Sequence, residues 1–161
     1  MNKRRGNGTF ELPHGHVYPR LRPSRVHKGG VGVFAIREIK KGAHLFPGDD
    51  EDMVWIEQGK VARTPLAIRK LYQDFAVLKD GKFGAPPNFN LLTVAWYLNE
   101  PRQGEQPNVY CDPKTYQFFA LRDIRAGEEL TVTYATYSEQ PEGARKRRSH
   151  AGNGVSAGRT V

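Results

Sequence analysis

Residues 119–134 read FALRDIRAGEELTVTY, a stretch in which apolar residues flank a charged turn that closes on Gly127. Residues 34–45 read FAIREIKKGAHL and repeat this pattern, with Phe, Ala, Arg, Ile, Gly and Leu at matching places. An apolar run, a turn and a second apolar run are typical of paired strands, so each copy predicts a hairpin-like unit. Two separated copies are too few for a solenoid. The sequence therefore predicts a mainly β fold with internal pseudo-symmetry.

The part of the chain between the two copies contains signals for a helix and for tight turns. Thr64-Pro65 before LAIRKLYQDF predicts a short helix with Thr64 as N-cap, because threonine caps helices and proline favours the first helical position. Asp80-Gly81 between apolar residues predicts a two-residue hairpin turn. Residues 90–100, NLLTVAWYLNE, fit either a buried helix or a strand. Further along, VYCD and QFFAL flank a third predicted turn.

The chain of 161 residues is 38 % hydrophobic and 26 % charged, which suits one domain with a single modest core. Its one cysteine, Cys111, excludes an intramolecular disulfide and a zinc held by three or four thiolates, so no metal site is expected. No apolar run approaches the roughly 20 residues of a membrane helix, and the first residues show no secretory h-region. We therefore expect an intracellular protein, cytoplasmic or nuclear, without a membrane partner.

The net charge of +8 is concentrated at the two ends of the chain. Residues 1–28 hold seven Lys and Arg against one Glu, residues 138–161 hold five against two, and the middle is nearly neutral. This contrast predicts a basic flexible tail over 1–19, a folded domain over 20–137 and a basic disordered tail over 138–161. The tails are open to three interpretations: contact with nucleic acid, a nuclear address, or solvated ends. The acidic run at 49–52 either attracts a basic peptide or forms a solvated loop.

Three features of the sequence are each weak when taken alone. The Gly-Val-Gly turn at 30–32 lacks two Cβ atoms and so allows a ligand to approach the backbone, but an ordinary turn has the same residues. Asn99 and Asn108 either bind the polar groups of a ligand or tie a loop to itself. Tyr134 ends an apolar strand, where an aromatic side chain is usually part of the core. Each feature becomes informative only when the other two are considered with it.

Taken together and in this order, these features resemble the SET domain, a β-fold family of protein-lysine methyltransferases that use S-adenosylmethionine. The resemblance covers the predicted domain and is most specific at ALRDIRAGEELTVTY. The glycine turn of the family, its asparagine motif before Pro-Asn and its GEEL segment closing on tyrosine are matched by 30–32, by Asn99 with Pro107-Asn108, and by 128–134. The resemblance implies small sheets and a C-terminal pseudoknot, in which the last strand threads under the asparagine loop.

The resemblance also implies a role for each matching residue. Tyr134 is expected at the methyl-transfer point as the catalytic residue, with its hydroxyl orienting the methyl group and the incoming amine. The residues expected to bind S-adenosyl-L-methionine are Gly30, Val31, Gly32, Asn99, Glu100, Asn108 and Tyr134. The residues expected to wall the substrate channel are Tyr97, Phe118 and Tyr137. The expected partner is a lysine-containing protein, with a basic one such as a histone among the candidates.

Methyl transfer to lysine needs a neutral amine, although free lysine has a pKa of about 10.4. A narrow, dry aromatic channel and the positive sulfonium both disfavour the ammonium form, so the pKa of the lysine falls without a strong base. Holding amine, methyl and sulfur in line supplies further acceleration. The family histidine after the first asparagine is Glu100 here, which keeps a second interpretation open: a non-catalytic SET-like module that binds a basic peptide or the cofactor. A third is a nucleic-acid or chromatin-associated protein that acts through its basic tails.

Overall fold

The computed structural model describes residues 15–49 and 52–139, and the elements in these ranges are mainly short strands. The strands are β1 (Pro19–Pro23), β2 (Val31–Ala35), β3 (Val54–Glu57), β4 (Val77–Lys79), β5 (Lys82–Ala85), β6 (Val109–Cys111), β7 (Phe118–Ala120) and β8 (Glu129–Leu130). The helices are α1 (Gln58–Val61) and α2 (Leu66–Phe75), with 3-10 turns at Phe89–Leu91, Val94–Tyr97 and Tyr134–Thr136. Antiparallel pairing gives sheets of order β1-β2-β8, β3-β5-β4 and β6-β7. The predicted mainly β class is confirmed.

The two sequence copies bind each other rather than folding as separate hairpins. Ile39 of the first copy and Ile124 of the second exchange both backbone hydrogen bonds, at 2.9 and 2.8 Å between N and O. Gly127 donates its N–H to the carbonyl of Ala35 in the first copy, at 2.8 Å. Gly42 donates its N–H to the carbonyl of Ala120 in the second copy, also at 2.8 Å, so equivalent bonds run in both directions. The pseudo-symmetry is present, but the prediction of a hairpin within each copy was wrong. The charged turn of each copy stays at the surface, and the apolar residues beside it meet the other copy.

The main core lies between the two copies. Ile39 and Ile124 are fully buried, and so are Leu45 and Leu130, which occupy equivalent places at the ends of the copies. Removing each such side chain from water contributes about 1.5–3 kcal/mol. The other buried residues of this cluster are Val33, Ala35, Leu98, Val109, Cys111, Ala120 and Val132. The core therefore depends on the repeat and on the segments that flank it.

The β4–β5 hairpin and helix α2 lie between the two copies in the sequence. Asp80 and Gly81 have φ of 50° and 72°, the left-handed conformations of a type I′ two-residue turn, so the predicted hairpin is confirmed. Helix α2 also lies where it was predicted. Its N-cap is Pro65, however, and the hydroxyl of Thr64 donates to the carbonyl of Val61 at 2.7 Å. The prediction of Thr64 as cap was wrong because that residue lies one position too early.

Residues 90–100 form neither the buried helix nor the strand that their apolar pattern allows. They fold largely into the two 3-10 turns, in the second of which Trp96 donates its N–H to the carbonyl of Thr93 at 3.2 Å. The β-branched neighbours Thr93 and Val94 disfavour a continuous helix. The third predicted turn, at 112–114, joins β6 to β7 as expected. This irregular segment ends at Leu98, next to the site described below.

The chain after β8 passes between two other segments. Val132 donates its N–H to the carbonyl of Asn99 at 2.9 Å on one side, and Val109 donates to the carbonyl of Thr131 at 3.0 Å on the other. Both contacts are parallel bridges. The C-terminal segment thus runs through the loop between 99 and 109, which confirms the predicted pseudoknot.

Backbone groups just outside the predicted domain, 20–137, form hydrogen bonds with residues inside it. The carbonyl of Tyr18 accepts the N–H of Ile36 at 2.8 Å, and Glu139 donates its N–H to the carbonyl of Leu78 at 2.7 Å. The predicted basic tails and the acidic run fall partly outside the described residues, at 1–14, 50–51 and 140–161. Within the part of the chain that is described, no helix has both the length and the apolar character needed to cross a membrane.

The matched turns of the two copies yield a stability prediction. Gly42 and Gly127 have φ of 81° and 83°, with open space where a Cβ atom would lie. Replacing either by alanine is expected to lower the free energy of unfolding by about 1–2 kcal/mol, because an L side chain disfavours the left-handed region. Gly59 of helix α1 also faces open space but has no positive φ, so Gly59→Ala is the control and should not destabilise. Denaturant unfolding measures all three; equal losses at the three positions would contradict the prediction.

Candidate active site

Asn108 ties the threaded segment to the loop that surrounds it. The residue is only 3 % exposed, so its side-chain amide needs partners within the protein. Its Nδ2 donates to the carbonyl of Glu129 at 2.9 Å, and its Oδ1 accepts the N–H of Thr131 at 2.8 Å. Both ends of the amide are thus used to hold the thread. Asn108 was predicted to bind the cofactor; in the structure its side-chain amide holds these two backbone groups of the thread.

Glu129 lies at the centre of a polar cluster that joins the glycine turn to the thread. Its carboxylate accepts the hydroxyl of Ser24 and the backbone N–H of Arg25, both at 2.6 Å. Asn99 donates from Nδ2 to the carbonyl of Val31 at 2.8 Å and to the carboxylate of Glu129 at 3.3 Å. The cluster therefore holds the backbone of the glycine turn next to Asn99.

The glycines of the turn leave room for neighbouring side chains of the protein itself. A Cβ atom on Gly32 would collide with the carboxylate of Glu129, and one on Gly30 would collide with the ring of His27. The close approach that requires glycine at position 32 is thus made by Glu129. Glu129 and Ser24 were not among the residues predicted for this site. The available signal was the carboxylate of Glu129 directly before the apolar Leu130, since a carboxylate in a strand that packs on the core needs hydrogen-bond donors.

Tyr134 follows directly on the threaded segment and is held through its hydroxyl and its backbone. The hydroxyl donates to the carbonyl of Leu98 at 2.6 Å. The backbone N–H of Tyr134 donates to Oε1 of Glu100 at 3.3 Å. Glu100 therefore turns toward the thread and takes part in positioning Tyr134.

A cavity of about 770 Å³ opens beside Tyr134. The rings of Phe118, Tyr134 and Tyr137 line it, and the Tyr137 ring lies edge-on to the other two, with centroids 5.9 Å from Phe118 and 6.2 Å from Tyr134. Tyr97, also predicted for the channel, is not part of this lining and packs edge-on against Phe75 at 5.6 Å. The structure thus brings together three of the four aromatic residues that the sequence suggested.

The aromatic end of the cavity opposes the formation of charge. Burial raises the pKa of Tyr137 well above its usual value of 10.0, with the neighbouring phenol of Tyr134 as the next cause. Burial disfavours whichever form of a group is charged. The same burial would lower the pKa of an amine placed beside Tyr137.

The remainder of the cavity lining carries mostly negative charge. Asp49, Asp52, Asp74 and Glu139 contribute carboxylates, against one lysine, Lys114. This acidic lining contrasts with the net charge of +8 of the whole chain. A cavity lined by negative charges attracts cationic ligands.

The adjacent residues Leu98 and Asn99 connect the cavity to the glycine turn. Leu98 accepts the hydroxyl of Tyr134, while Asn99 bonds to Val31. Carbonyl and phenol oxygens at such a junction are the negative ends of dipoles that stabilise a cation, so they suit the sulfonium of S-adenosylmethionine. The residues present fit the cofactor, whereas no group of three metal-ligating side chains occurs among residues 15–49 and 52–139.

The comparison with protein families agrees with this geometry. The model of the SET domain matches residues 30–135, which is more than half of the chain. The matched range begins at the glycine turn and ends just after Tyr134. The fold is a mainly β domain with a threaded C-terminal segment, and the chain belongs to the SET domain family.

Solved structures with the same fold include SET-domain enzymes. The methyltransferase domain of human PR domain-containing protein 2 aligns with a TM-score of 0.50 at 24% identity, covering 76% of this chain and 78% of that one. A chain of the autoinhibited Polycomb Repressive Complex 2 of Chaetomium thermophilum, bound to S-adenosylmethionine, aligns with a TM-score of 0.50 at 19% identity, covering 83% of this chain and 17% of that one. No protein of curated function matches the sequence. At these identities the likeness establishes the fold.

The contact between Gly32 and Glu129 predicts a coupling between two substitutions. Gly32→Ala is expected to cost about 1–3 kcal/mol of unfolding free energy, because its Cβ overpacks against the carboxylate. In a Glu129→Ala background the same substitution should cost less, since only the Phe34 ring, 3.2 Å from the Cβ position, then remains close. Denaturant unfolding of the wild type, both single variants and the double variant measures this coupling. Additive losses would show that Glu129 is not what excludes a side chain at position 32.

Proposed function

We propose that this protein transfers a methyl group from S-adenosylmethionine to the ε-amine of a lysine in a protein substrate. The observation that carries the proposal is the placement of Tyr134. Its hydroxyl, anchored on the carbonyl of Leu98, lies at the wall of an aromatic cavity with an acidic lining. Membership of the SET domain family, whose members are methyltransferases, supports the same reaction. The particular protein substrate is a separate question, treated below only as a chemical class.

The cofactor would be held by the glycine turn and by the residues that adjoin it. The backbone of 30–32 and the backbone near Asn99 would receive its amino-acid part, and Tyr134 would lie at its sulfonium end. When bound, S-adenosylmethionine supplies an electrophilic methyl group on a positive sulfur. Glu129 acts as a positioning residue, because its bonds to Ser24 and Asn99 hold the turn in place.

The chain's own residues prepare the lysine amine as nucleophile. The acidic lining draws the ammonium form toward the cavity. Deeper in, the aromatic surroundings that raise the pKa of Tyr137 lower the pKa of the amine, so a proton is released to solvent as the side chain enters. The Tyr134 hydroxyl gives its hydrogen to Leu98 and therefore presents its oxygen as an acceptor for an amine N–H. This contact aims the nitrogen lone pair at the methyl group.

A basic peptide is the substrate class that the cavity favours. Four carboxylates line the cavity against one lysine, and they would be matched by arginine or lysine residues near the target lysine. A histone tail has this character, as do other basic protein segments.

A second candidate function, a SET-like module that binds without catalysing, is favoured by Glu100. This residue occupies the place of the family histidine and bonds to the backbone of Tyr134. If the chain is non-catalytic for this reason, the wild type will bind the cofactor but label no lysine. Glu100→His would then be the variant that gains transfer. If the wild type already transfers methyl groups, the glutamate is a sufficient replacement.

The role of Tyr134 is tested with the full chain, methyl-labelled S-adenosylmethionine and a mixture of basic proteins, with labelled lysines located by mass spectrometry. Tyr134→Phe is expected to lower kcat by about 100-fold while leaving the Kd of the cofactor nearly unchanged, because it removes one positioned oxygen. Tyr110 is 42 % exposed on β6, so Tyr110→Phe is the matched control and should retain full activity. Unchanged turnover in Tyr134→Phe would remove Tyr134 from the mechanism.

The pH dependence of transfer follows from the direction of the Tyr137 shift. Burial raises the pKa of Tyr137 above 10.0, so this phenol stays neutral while the substrate amine loses its proton. The rate is expected to rise from neutral pH and then level off, without a fall near pH 10.0 caused by Tyr137. A pH–rate profile measures this, with Tyr137→Phe as control. A descending limb present in the wild type and absent from Tyr137→Phe would contradict the account.

A further inference from the structure

One wall of the cavity takes no part in the chemistry assigned to Tyr134 and Tyr137. It is formed by Trp55 of β3 and by Tyr116, from the loop between β6 and β7, whose ring centroids are 6.0 Å apart. A volume of about 770 Å³ is in the range of sites that bury a ligand of drug size, well above what one lysine side chain fills. The cavity therefore has room for a second side chain of the substrate.

Trp55 is placed at this wall by the absence of a side chain on the neighbouring strand. It pairs with Gly84 of β5, and a Cβ atom on that glycine would press into the six-membered part of the indole ring. The residue is nevertheless 39 % exposed. An indole supported from one side and still reached by solvent in a cavity is a surface on which a planar group can stack.

Tyr116 has a strained backbone conformation and a buried hydroxyl. Its φ of 57° is unusual for a bulky residue, and its N–H bonds to the carbonyl of Asp112 at 2.7 Å. Its hydroxyl is buried, and no hydrogen-bond partner for it occurs among the described residues. A buried hydroxyl without a partner is costly. A strained backbone such as that of Tyr116 occurs at ligand sites, and here it accompanies the contact of the phenol ring with the indole of Trp55.

We propose that Trp55 and Tyr116 form a second subsite that binds the guanidinium of an arginine close to the target lysine in the same peptide. A guanidinium is planar and stacks on an indole, while the N–H donors at its edge stay free to pair with carboxylates. The carboxylates of the cavity offset its charge and outnumber Lys114. Lys79, whose Nζ lies 5.8 Å from the Tyr116 ring centroid, already occupies a face of that phenol, which assigns the stacking to Trp55.

Other side chains suit this wall less well. A lysine ammonium has no flat face to lay against the indole, and its charge is compact and strongly hydrated. An aliphatic side chain would pack on Trp55 but would leave the carboxylates of the cavity without a partner. The inference rests on the proposed function only in taking the ligand to be a lysine-containing peptide.

The test uses the full chain and short fluorescent peptides that carry one lysine among alanine, glycine and serine. A single arginine is moved one position at a time on either side of the lysine, and each peptide has a counterpart with citrulline, the uncharged isostere. One or two positions are expected to bind about 10-fold more tightly by fluorescence anisotropy, and citrulline should abolish the gain. Equal binding at every position, equal binding of citrulline peptides, or no binding of any peptide would overturn the proposal.

Two variants assign the preference to the indole of this wall. Trp55→Leu is expected to remove most of the arginine preference, whereas the control Tyr110→Phe should keep it. Tyr116→Phe should also keep it, and should leave the Tm of the free protein unchanged or raise it, because it deletes an unpaired buried hydroxyl that the peptide does not reach. Unchanged binding of the peptide without arginine in Trp55→Leu separates recognition from a merely structural role. An arginine preference that survives in Trp55→Leu would overturn the assignment.

The same peptides distinguish failure of this inference from failure of the proposed function. Each peptide is also incubated with labelled S-adenosylmethionine. Binding with the arginine preference but without methylation would reject the transfer reaction and keep the subsite. Methylation that is indifferent to the position of arginine and to Trp55 would keep the reaction and reject the subsite.

Discussion

The passage of the C-terminal segment between Asn99 and Val109 is the constraint on which the rest of the structure depends. Backbone bonds hold the segment on both sides, and the buried amide of Asn108 closes the crossing with a donor and an acceptor. Knotted connections are rare because a chain end must enter a loop that is already formed. Here the crossing brings the hydroxyl of Tyr134 to the carbonyl of Leu98.

The repeated strand and turn gives this crossing a rigid frame. Each copy supplies an isoleucine at the centre and a leucine at the end, and both pairs are fully buried between the copies. The second copy is continuous with the thread, so the symmetric core and the crossing are built from one stretch of chain. Glu129, at the end of that copy, then reaches back to the turn that begins the first. The proposed cofactor turn and the proposed catalytic tyrosine are thus positioned by one segment.

Local patterns in the sequence predicted local structure well. The Asp80-Gly81 turn, the span of α2 and the β6–β7 hairpin needed only neighbouring residues, and all three are confirmed. The pairing of Ile39 with Ile124 was beyond such patterns, because a repeat indicates similar units without saying whether they fold separately or together. The contact between Gly32 and Glu129 could not be predicted for the same reason, because the two residues are far apart in sequence and meet only in the folded chain. The crossing itself was predicted by resemblance to a family, as no spacing in this sequence implies it.

The central claim is that the glycine turn, Asn99 and Tyr134 at the end of the threaded segment together form a site for S-adenosylmethionine. Calorimetric titration of that cofactor into the full chain tests the claim most directly. The account predicts saturable binding with one cofactor per chain. A folded chain that shows no saturable binding would contradict the claim and would leave the crossing as a structural feature without a cofactor to serve.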